Sequence, residues 1–282
     1  MKQTMPATCF GKHEIRWGEK TYVMGICNLS PDSFSGDGIG PDVDAAVAQA
    51  VRMVAEGADI IDVGGESTRP GTKPSDDIQQ ELDLVLPAIR AISAAVSVPV
   101  SIDSYKSGVA MEALKAGASI VNDIWGLKYD PRLANVAADA GAPIILMANE
   151  RDAPPKAGIL AKVMADLEYG IRTAEAAGIP PENIIVDPGC GFGKTLEQNL
   201  ELVNRLGELK RFNKPILLGT SRKSMIGNVL DLPPEDRLEG NLAITAIGIA
   251  NGADIVRVHD VKETVLVCRM SDAIVRRGSV DD

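Results

Sequence analysis

Short runs of Val, Ile, Leu and Met, nearly continuous in apolar character, alternate along this chain with longer stretches whose apolar residues recur every three or four positions. The first pattern reads as strands buried on both faces, the second as amphipathic helices. Strand-like runs cover 22–28, 59–64, 98–103, 119–123, 143–147, 183–187, 215–219 and 254–259. Helical patterns cover 43–56, 76–95, 108–116, 131–140, 159–177, 196–211, 234–251 and 261–277. Gly57, Gly117, Gly141 and Gly252 stand where helices end and supply left-handed caps, with the next strand following at once. Residues 8–21 alternate weakly around Gly11 and Gly18 and read as a short N-terminal hairpin. Eight β-then-α units over about 240 residues predict an α/β fold of the (β/α)8 TIM-barrel type. An open doubly wound sheet is the alternative, but it rarely needs eight such regular units. No linker, charge block or low-complexity segment marks a second domain, so residues 1–282 are read as one domain with a barrel core at about 22–278.

Composition narrows the function more than the fold. The 282 residues are 45% hydrophobic and 24% charged, enough for a sizeable core. A formal net charge of −10 argues against a nucleic-acid surface but leaves room for a local basic pocket. No apolar run is long enough to span a membrane, and residues 1–8 lack the apolar core of a signal peptide. Cys9, Cys27, Cys190 and Cys268 are scattered, which suggests reduced thiols and a cytoplasmic protein. Two histidines, His13 and His259, exclude a multi-histidine metal centre.

In a barrel of this type the carboxyl ends of the strands, with the loops that follow, form the active face. The strands end on Asn28, on Gly64-Gly65-Glu66, on Asp103, on Asn122-Asp123, on Met147, on Asp187, on Gly219 and on Arg257-Val258-His259-Asp260. A lone Asn or Asp after a strand is usually a turn former or helix cap, and Asp123 and Asp260 are read that way. Asp103, Asn122 and Asp187 would converge in one pocket and suit a flat heterocycle with several N–H and C=O groups. Arg69, Arg222, Lys223, Arg257 and His259 gather cations beside them, which in an acidic chain points to a phosphate or diphosphate. Residues 221–224 open a helix whose N–H groups favour the same anion. After Asp187 comes Pro188-Gly189-Cys190-Gly191-Phe192-Gly193-Lys194, a loop that lets backbone approach a ligand and offers the Phe192 ring as an exposed surface. Its Lys spacing is not that of a Walker motif. Residues 29–41 and 65–75 hold no helix-forming run and read as movable lids over the active face.

The segments Met24–Ser35, Asp62–Gly71, Ser101–Lys106, Val121–Asp123, Asp187–Thr195, Gly219–Ser224 and Val256–Val261 together resemble dihydropteroate synthases. The resemblance spans about residues 22–265 and implies a (β/α)8 barrel that joins 6-hydroxymethyl-7,8-dihydropterin diphosphate to p-aminobenzoate and releases diphosphate. It implies that Asp103, Asn122, Asp187 and Lys223 hold the pterin and that Asn28 ligates Mg2+ on the diphosphate. Arg257 and His259, with Thr68 and Arg69, would grip that leaving group. Thr68, Arg69 and Pro70 with Asp32, Ser33 and Phe34 would close over the aminobenzoate, Phe192 would pack on its ring, and Ser224 would meet its carboxylate. The catalytic burden would fall on Asp187, Lys223 and Arg257, with no covalent nucleophile. A homodimer is expected from the same resemblance. One segment departs: the family usually has Leu-Met-His-Met where this chain has Leu146-Met147-Ala148-Asn149-Glu150. The alternatives are a corrinoid-type pterin methyltransferase on the same barrel and a non-catalytic pterin-binding protein. Neither has a use for the whole set of Ser221–Ser224 corner, 67–70 lid and diphosphate-facing cations.

Overall fold

A computed structural model describes residues 5–30, 40–66, 77–152 and 158–276. The hairpin forms as β1 (Thr8–Phe10) and β2 (His13–Ile15), antiparallel with Cys9 opposite Glu14. The barrel strands are β3 (Tyr22–Asn28), β4 (Ile60–Gly64), β5 (Val100–Asp103), β6 (Ile120–Asp123), β7 (Ile144–Met147), β8 (Ile184–Asp187), β9 (Leu217–Leu218) and β10 (Ile255–Val258). All pair in parallel in the order β8-β7-β6-β5-β4-β3-β10-β9. A parallel bridge from Val186 to Ile216, with Val186 N donating to Pro215 O at 2.9 Å, joins the two ends and closes the ring.

Around it lie α1 (Val43–Glu56), α2 (Ile78–Ala95), α3 (Ser107–Ala116), α4 (Leu133–Asp139), α5 (Ile159–Ala176), α6 (Leu196–Asn204), α7 (Ser224–Leu230), α8 (Leu238–Ala250) and α9 (Val261–Val275). The sequence reading merged some of these. The helix expected over 196–211 stops at Asn204 and continues as a 3-10 turn over Leu206–Phe212. There Gly207 passes so close to the end of α8 that an added Cβ would lie 3.1 Å from Asn251 O. The helix expected from 234 starts only at Leu238, because Pro233 and Pro234 hold a 3-10 turn ahead of it. The expected strand over 215–219 shrinks to two paired residues, and α7 is an additional short helix after it.

Two apolar layers explain why only one end of the barrel is polar. Between strands and helices, Val, Ile, Leu and Ala side chains form one continuous core. Inside the barrel, Met24, Ile60, Ile120, Ile145, Ile185, Leu217 and Ile255 fill the amino-terminal end and meet Phe10, Ile15 and Trp17 of the hairpin region. Trp17 Nε1 donates to Thr8 Oγ1 at 2.9 Å, so the plug leaves no indole N–H unpaired. With that end sealed by apolar packing, polar strand-end residues have only the carboxyl-terminal mouth to occupy.

Candidate active site

The mouth holds a cavity that opens to solvent, lined in part by Asn28, Asp103, Phe192, Ser224, Arg257 and His259. Strand register places the first of its polar groups. Asn28 pairs with Gly64, Gly64 with Asp103, and Asp103 with Asn122, so one row crosses four adjacent strands. Met147 pairs with Asp187 two strands further on. Gly64 sits against Asp103 in this row, where an added Cβ would make ordinary contact at 3.5 Å with that of Asp103.

Arg257 reaches into this row from β10. Its Nε donates to Asp62 Oδ2 and its Nη2 to Asp103 Oδ2, both at 2.6 Å. Asn122 Nδ2 donates to the same Asp62 oxygen at 3.1 Å. Asp62 is fully buried, and its other oxygen has no hydrogen-bond partner among the described residues. Burial would lower the Arg257 pKa, but Asp62 and Asp103 hold it above the ordinary guanidinium range. Burial pushes Asp103 up to about 7, opposed by Arg257 and assisted by the charge of Asp62. A carboxyl so placed changes charge near neutrality.

Asp187 and the glycine loop form the second group. Burial raises the Asp187 carboxyl, while Lys223 and the Gly189 N–H, which donates to Oδ1 at 2.7 Å, pull it back. Lys223 is lowered to about 8 by burial against the nearby charge of Asp187, and its Nζ donates to Cys190 O at 2.6 Å. The loop folds back onto the end of β7. Gly189 has φ of +69°, and a Cβ there would lie 1.9 Å from Ala148 O, so only glycine fits. Lys194 Nζ donates to Ala148 O, Gly189 O and Phe192 O at 2.9, 2.9 and 3.2 Å. Lys194 thus fastens the loop rather than binding phosphate. The same fold corrects the expectation of an exposed Phe192: its ring is only 8% accessible, with Arg151 4.3 Å and Lys223 4.7 Å from its centroid.

The third group follows β9. His259 Nδ1 lies 2.8 Å from Ser221 Oγ, and His259 N donates to the same oxygen at 3.2 Å. Arg222, grouped with the anion-facing cations in the sequence reading, has φ of +57° and donates from Nη2 to Asp260 Oδ1 at 2.7 Å. It does not line the cavity, and Asp260 serves as its partner rather than as a side-chain cap for α9. Asp123 is the turn residue expected, accepting from Trp125 N and Leu127 N at 2.8 and 2.6 Å. Ser224, not Ser221, is the first residue of α7.

The structure therefore gathers Asn28, Asp103, Phe192, Lys223, Ser224, Arg257 and His259 around one cavity. Asn122 joins them through Asp62, and Asp187 through the charges of Lys223 and Arg257. Asp32, Ser33, Phe34, Thr68, Arg69 and Pro70 lie outside the described residues. Sequence reasoning missed Asp62, although a carboxylate inside the otherwise apolar Ile60–Gly64 was a readable signal. It also missed Arg151, which nothing in a polar loop distinguishes. In the departing segment, Asn149 Nδ2 donates to Ile124 O at 2.9 Å, and Glu150 is buried 3.2 Å from Lys162 Nζ. These side chains anchor the loop after β7 behind the site.

Among the described residues no group of three or more His, Cys, Asp or Glu side chains could cage a metal. Asn28 Oδ1 accepts from Ser30 N at 3.1 Å and keeps a second lone pair. A single amide oxygen suits Mg2+, which takes few protein ligands and completes its shell with phosphate oxygens and water.

Residues 24–259 match the family described as pterin binding enzyme. The dihydropteroate synthase of Clostridium beijerinckii is 52% identical over 268 residues, spanning 95% of this chain and 99% of that protein. Among solved structures, the dihydropteroate synthase of Clostridium difficile, in the presence of pteroic acid, superposes with a TM-score of 0.88 at 47% identity, covering 93% of this chain and 100% of that one. The Xanthomonas albilineans dihydropteroate synthase, with 4-aminobenzoic acid, gives a TM-score of 0.89 at 38% identity, covering 96% and 98%.

Proposed function

The chain belongs to the pterin binding enzymes and, within them, to the dihydropteroate synthases, and from that premise we propose how its barrel mouth carries the reaction. It is a transferase that condenses 6-hydroxymethyl-7,8-dihydropterin diphosphate with p-aminobenzoate to 7,8-dihydropteroate and diphosphate. The observation that carries the residue assignments is the Asp62–Arg257–Asp103 bridge, which collects a cation, two carboxylates and the Asn122 amide at one depth.

Asp103, Asn122 and Asp187 accept from and donate to the polar edge of the pterin, and Lys223 donates from beside them. Each loses an aqueous partner on burial, so a heterocycle that replaces those hydrogen bonds binds selectively. The methylene C–O bond breaks and its electron pair leaves with the diphosphate. The arylamine nitrogen forms the new C–N bond and gives up a proton. Asp187 faces the positive charge that develops on the pterin, while Arg257 and His259 face the charge that develops on the leaving group. Asn28 would hold Mg2+ by its amide oxygen, and the ion, when bound, neutralises charge on the departing diphosphate. Thr68 and Arg69 assist at the diphosphate. Phe34, Thr68, Pro70, Phe192 and Ser224 enclose the aminobenzoate.

We read the chain as one domain working in the cytoplasm as a homodimer on small-molecule substrates. Exposed Leu266, Met270 and Ile274, spaced four apart on α9, with Ile247 on the adjoining α8, support the dimer. Among the described residues no helix is long and apolar enough to cross a membrane.

Incubation with pterin diphosphate, p-aminobenzoate and Mg2+ should yield dihydropteroate and diphosphate in equal amounts. Pterin binding without product would leave a non-catalytic binder. Methyl transfer from methyltetrahydrofolate to a corrinoid protein would make it a methyltransferase instead.

A further inference from the structure

The peptide unit between Cys190 and Gly191 is held at both of its polar ends. Its carbonyl, Cys190 O, accepts from Lys223 Nζ at 2.6 Å, and its amide, Gly191 N, donates to Asn199 Oδ1 at 2.6 Å. Gly191 has to lack a side chain because the Lys223 stem runs across it: an added Cβ would lie 2.9 Å from Lys223 Cδ. The same glycine has φ of +83°, and a peptide next to glycine turns over readily, since both signs of φ are open to it. Turned over, this unit would take its carbonyl away from Lys223 and point an N–H at the ammonium instead. A group outside the loop has to fix which way it faces.

We propose that Asn199 is a positioning residue for Lys223, acting through the Cys190–Gly191 peptide. Asn199 lies on α6, is buried, and stands off the cavity. Its own amide is oriented by three backbone groups: Oδ1 accepts from Gly191 N, while Nδ2 donates to Thr195 O at 2.7 Å and to Lys194 O at 3.3 Å. A backbone donor on one side and two carbonyls on the other leave the amide a single orientation. Hydrogen bonds therefore run from the start of α6 through the Asn199 amide and the loop peptide to the Lys223 ammonium, each polarising the next. Lys223 is a group that needs such an anchor. Burial weighs against its charge, as do Arg257 and Arg151, while Asp187 and Cys190 favour it. A carbonyl locked in place adds to the favourable side and holds Nζ at one spot. The inference rests on the dihydropteroate synthase reading, in which Lys223 donates to the pterin, and it adds the residue that aims that donor.

The test is a double-mutant cycle with Asn199→Leu and Lys223→Met, read as affinity for pterin diphosphate by fluorescence titration without p-aminobenzoate. Each single variant should bind about tenfold more weakly than the parent. The double variant should stay within about twofold of Lys223→Met alone, because without the ammonium nothing is left to aim. Losses that multiply to about a hundredfold would mean that Asn199 supports the loop without acting through Lys223. An unchanged affinity in Asn199→Leu would mean that the peptide keeps its facing unaided. Either result overturns the inference alone. Asn199→Asp keeps an acceptor for Gly191 N–H and gives up the donor to Thr195 O, so its affinity should stay within about threefold of the parent. A loss there of about tenfold would trace the effect to the start of α6 and also overturn the inference. If Lys223→Met binds pterin diphosphate as the parent does, the reading beneath the inference falls instead.

Discussion

Asp62→Asn removes one negative charge from the bridge and keeps the side chain's size. Asp103 owes its pKa of about 7, against an ordinary 3.8, first to burial and then to a balance between attraction to Arg257 and repulsion from Asp62. Two carboxylates sharing one guanidinium have charge centres roughly 5 Å apart, which at an effective dielectric of about 20 is worth about 3 kcal/mol. That is about two pKa units as an upper bound. The open cavity screens the pair, so a fall of about one unit is expected for Asp103 in the variant. The sign of the effect differs for stability and binding. Between pH 3.8 and about 7 the folded protein holds a proton on Asp103 that the unfolded chain has lost. Its contribution to stability is complete below that window and is lost as pH rises through 7. Pterin binding should move the other way, because in the proposed role of Asp103 it is the carboxylate form that accepts the pterin N–H groups. The assay is pterin affinity by fluorescence titration from pH 5 to 8. The wild-type protein should show an acid limb near pH 7, and Asp62→Asn should move it down by about one unit. The variant should also lose about 2–4 kcal/mol in denaturant, since Arg257 keeps only one of two partners. An acid limb that stays in place in a folded variant would refute the coupling between Asp62 and Asp103.

Gly189→Ala forces a Cβ onto Ala148 O at a positive φ, so about 3 kcal/mol or more of stability and most activity should be lost in urea unfolding and turnover assays. Lys194→Met leaves three loop carbonyls without their shared donor; a loss of about 2 kcal/mol and a raised KM for p-aminobenzoate are expected, whereas unchanged kinetics would free Lys194 from any part in placing Phe192. If the proposed homodimer forms through α9, Leu266→Asp combined with Met270→Asp should convert it to a monomer by sedimentation, and a dimer that survives would put the interface elsewhere.

The barrel was legible because its strands are buried on both faces and its helices on one, so the two periods stand out along the chain. Asp103, Asn122 and Asp187 were legible because they are polar residues at the ends of apolar strands, where a closed barrel with an apolar floor gives them one place to go. Asp62 was not, since its importance comes from Arg257, which lies 195 residues away in the chain. The burial of Phe192 was hidden for a related reason: glycines suggest an open loop, but Lys194 ties this one to the end of β7. Arg222 was grouped with the anion-facing cations by neighbourhood alone, whereas it pairs with Asp260, which stands at the N-cap of α9 as expected but without a side-chain cap bond.

The central claim is that one mouth holds the pterin by groups from four strands and their loops. A crystal structure of the protein soaked with 6-hydroxymethylpterin diphosphate and Mg2+ tests it most directly. The expected map has the pterin edge against Asp103, Asn122 and Asp187, Lys223 beside it, and the diphosphate toward Asn28, Arg257 and His259. Density for the pterin at any other place, with that group of side chains still closed on itself, would contradict the account.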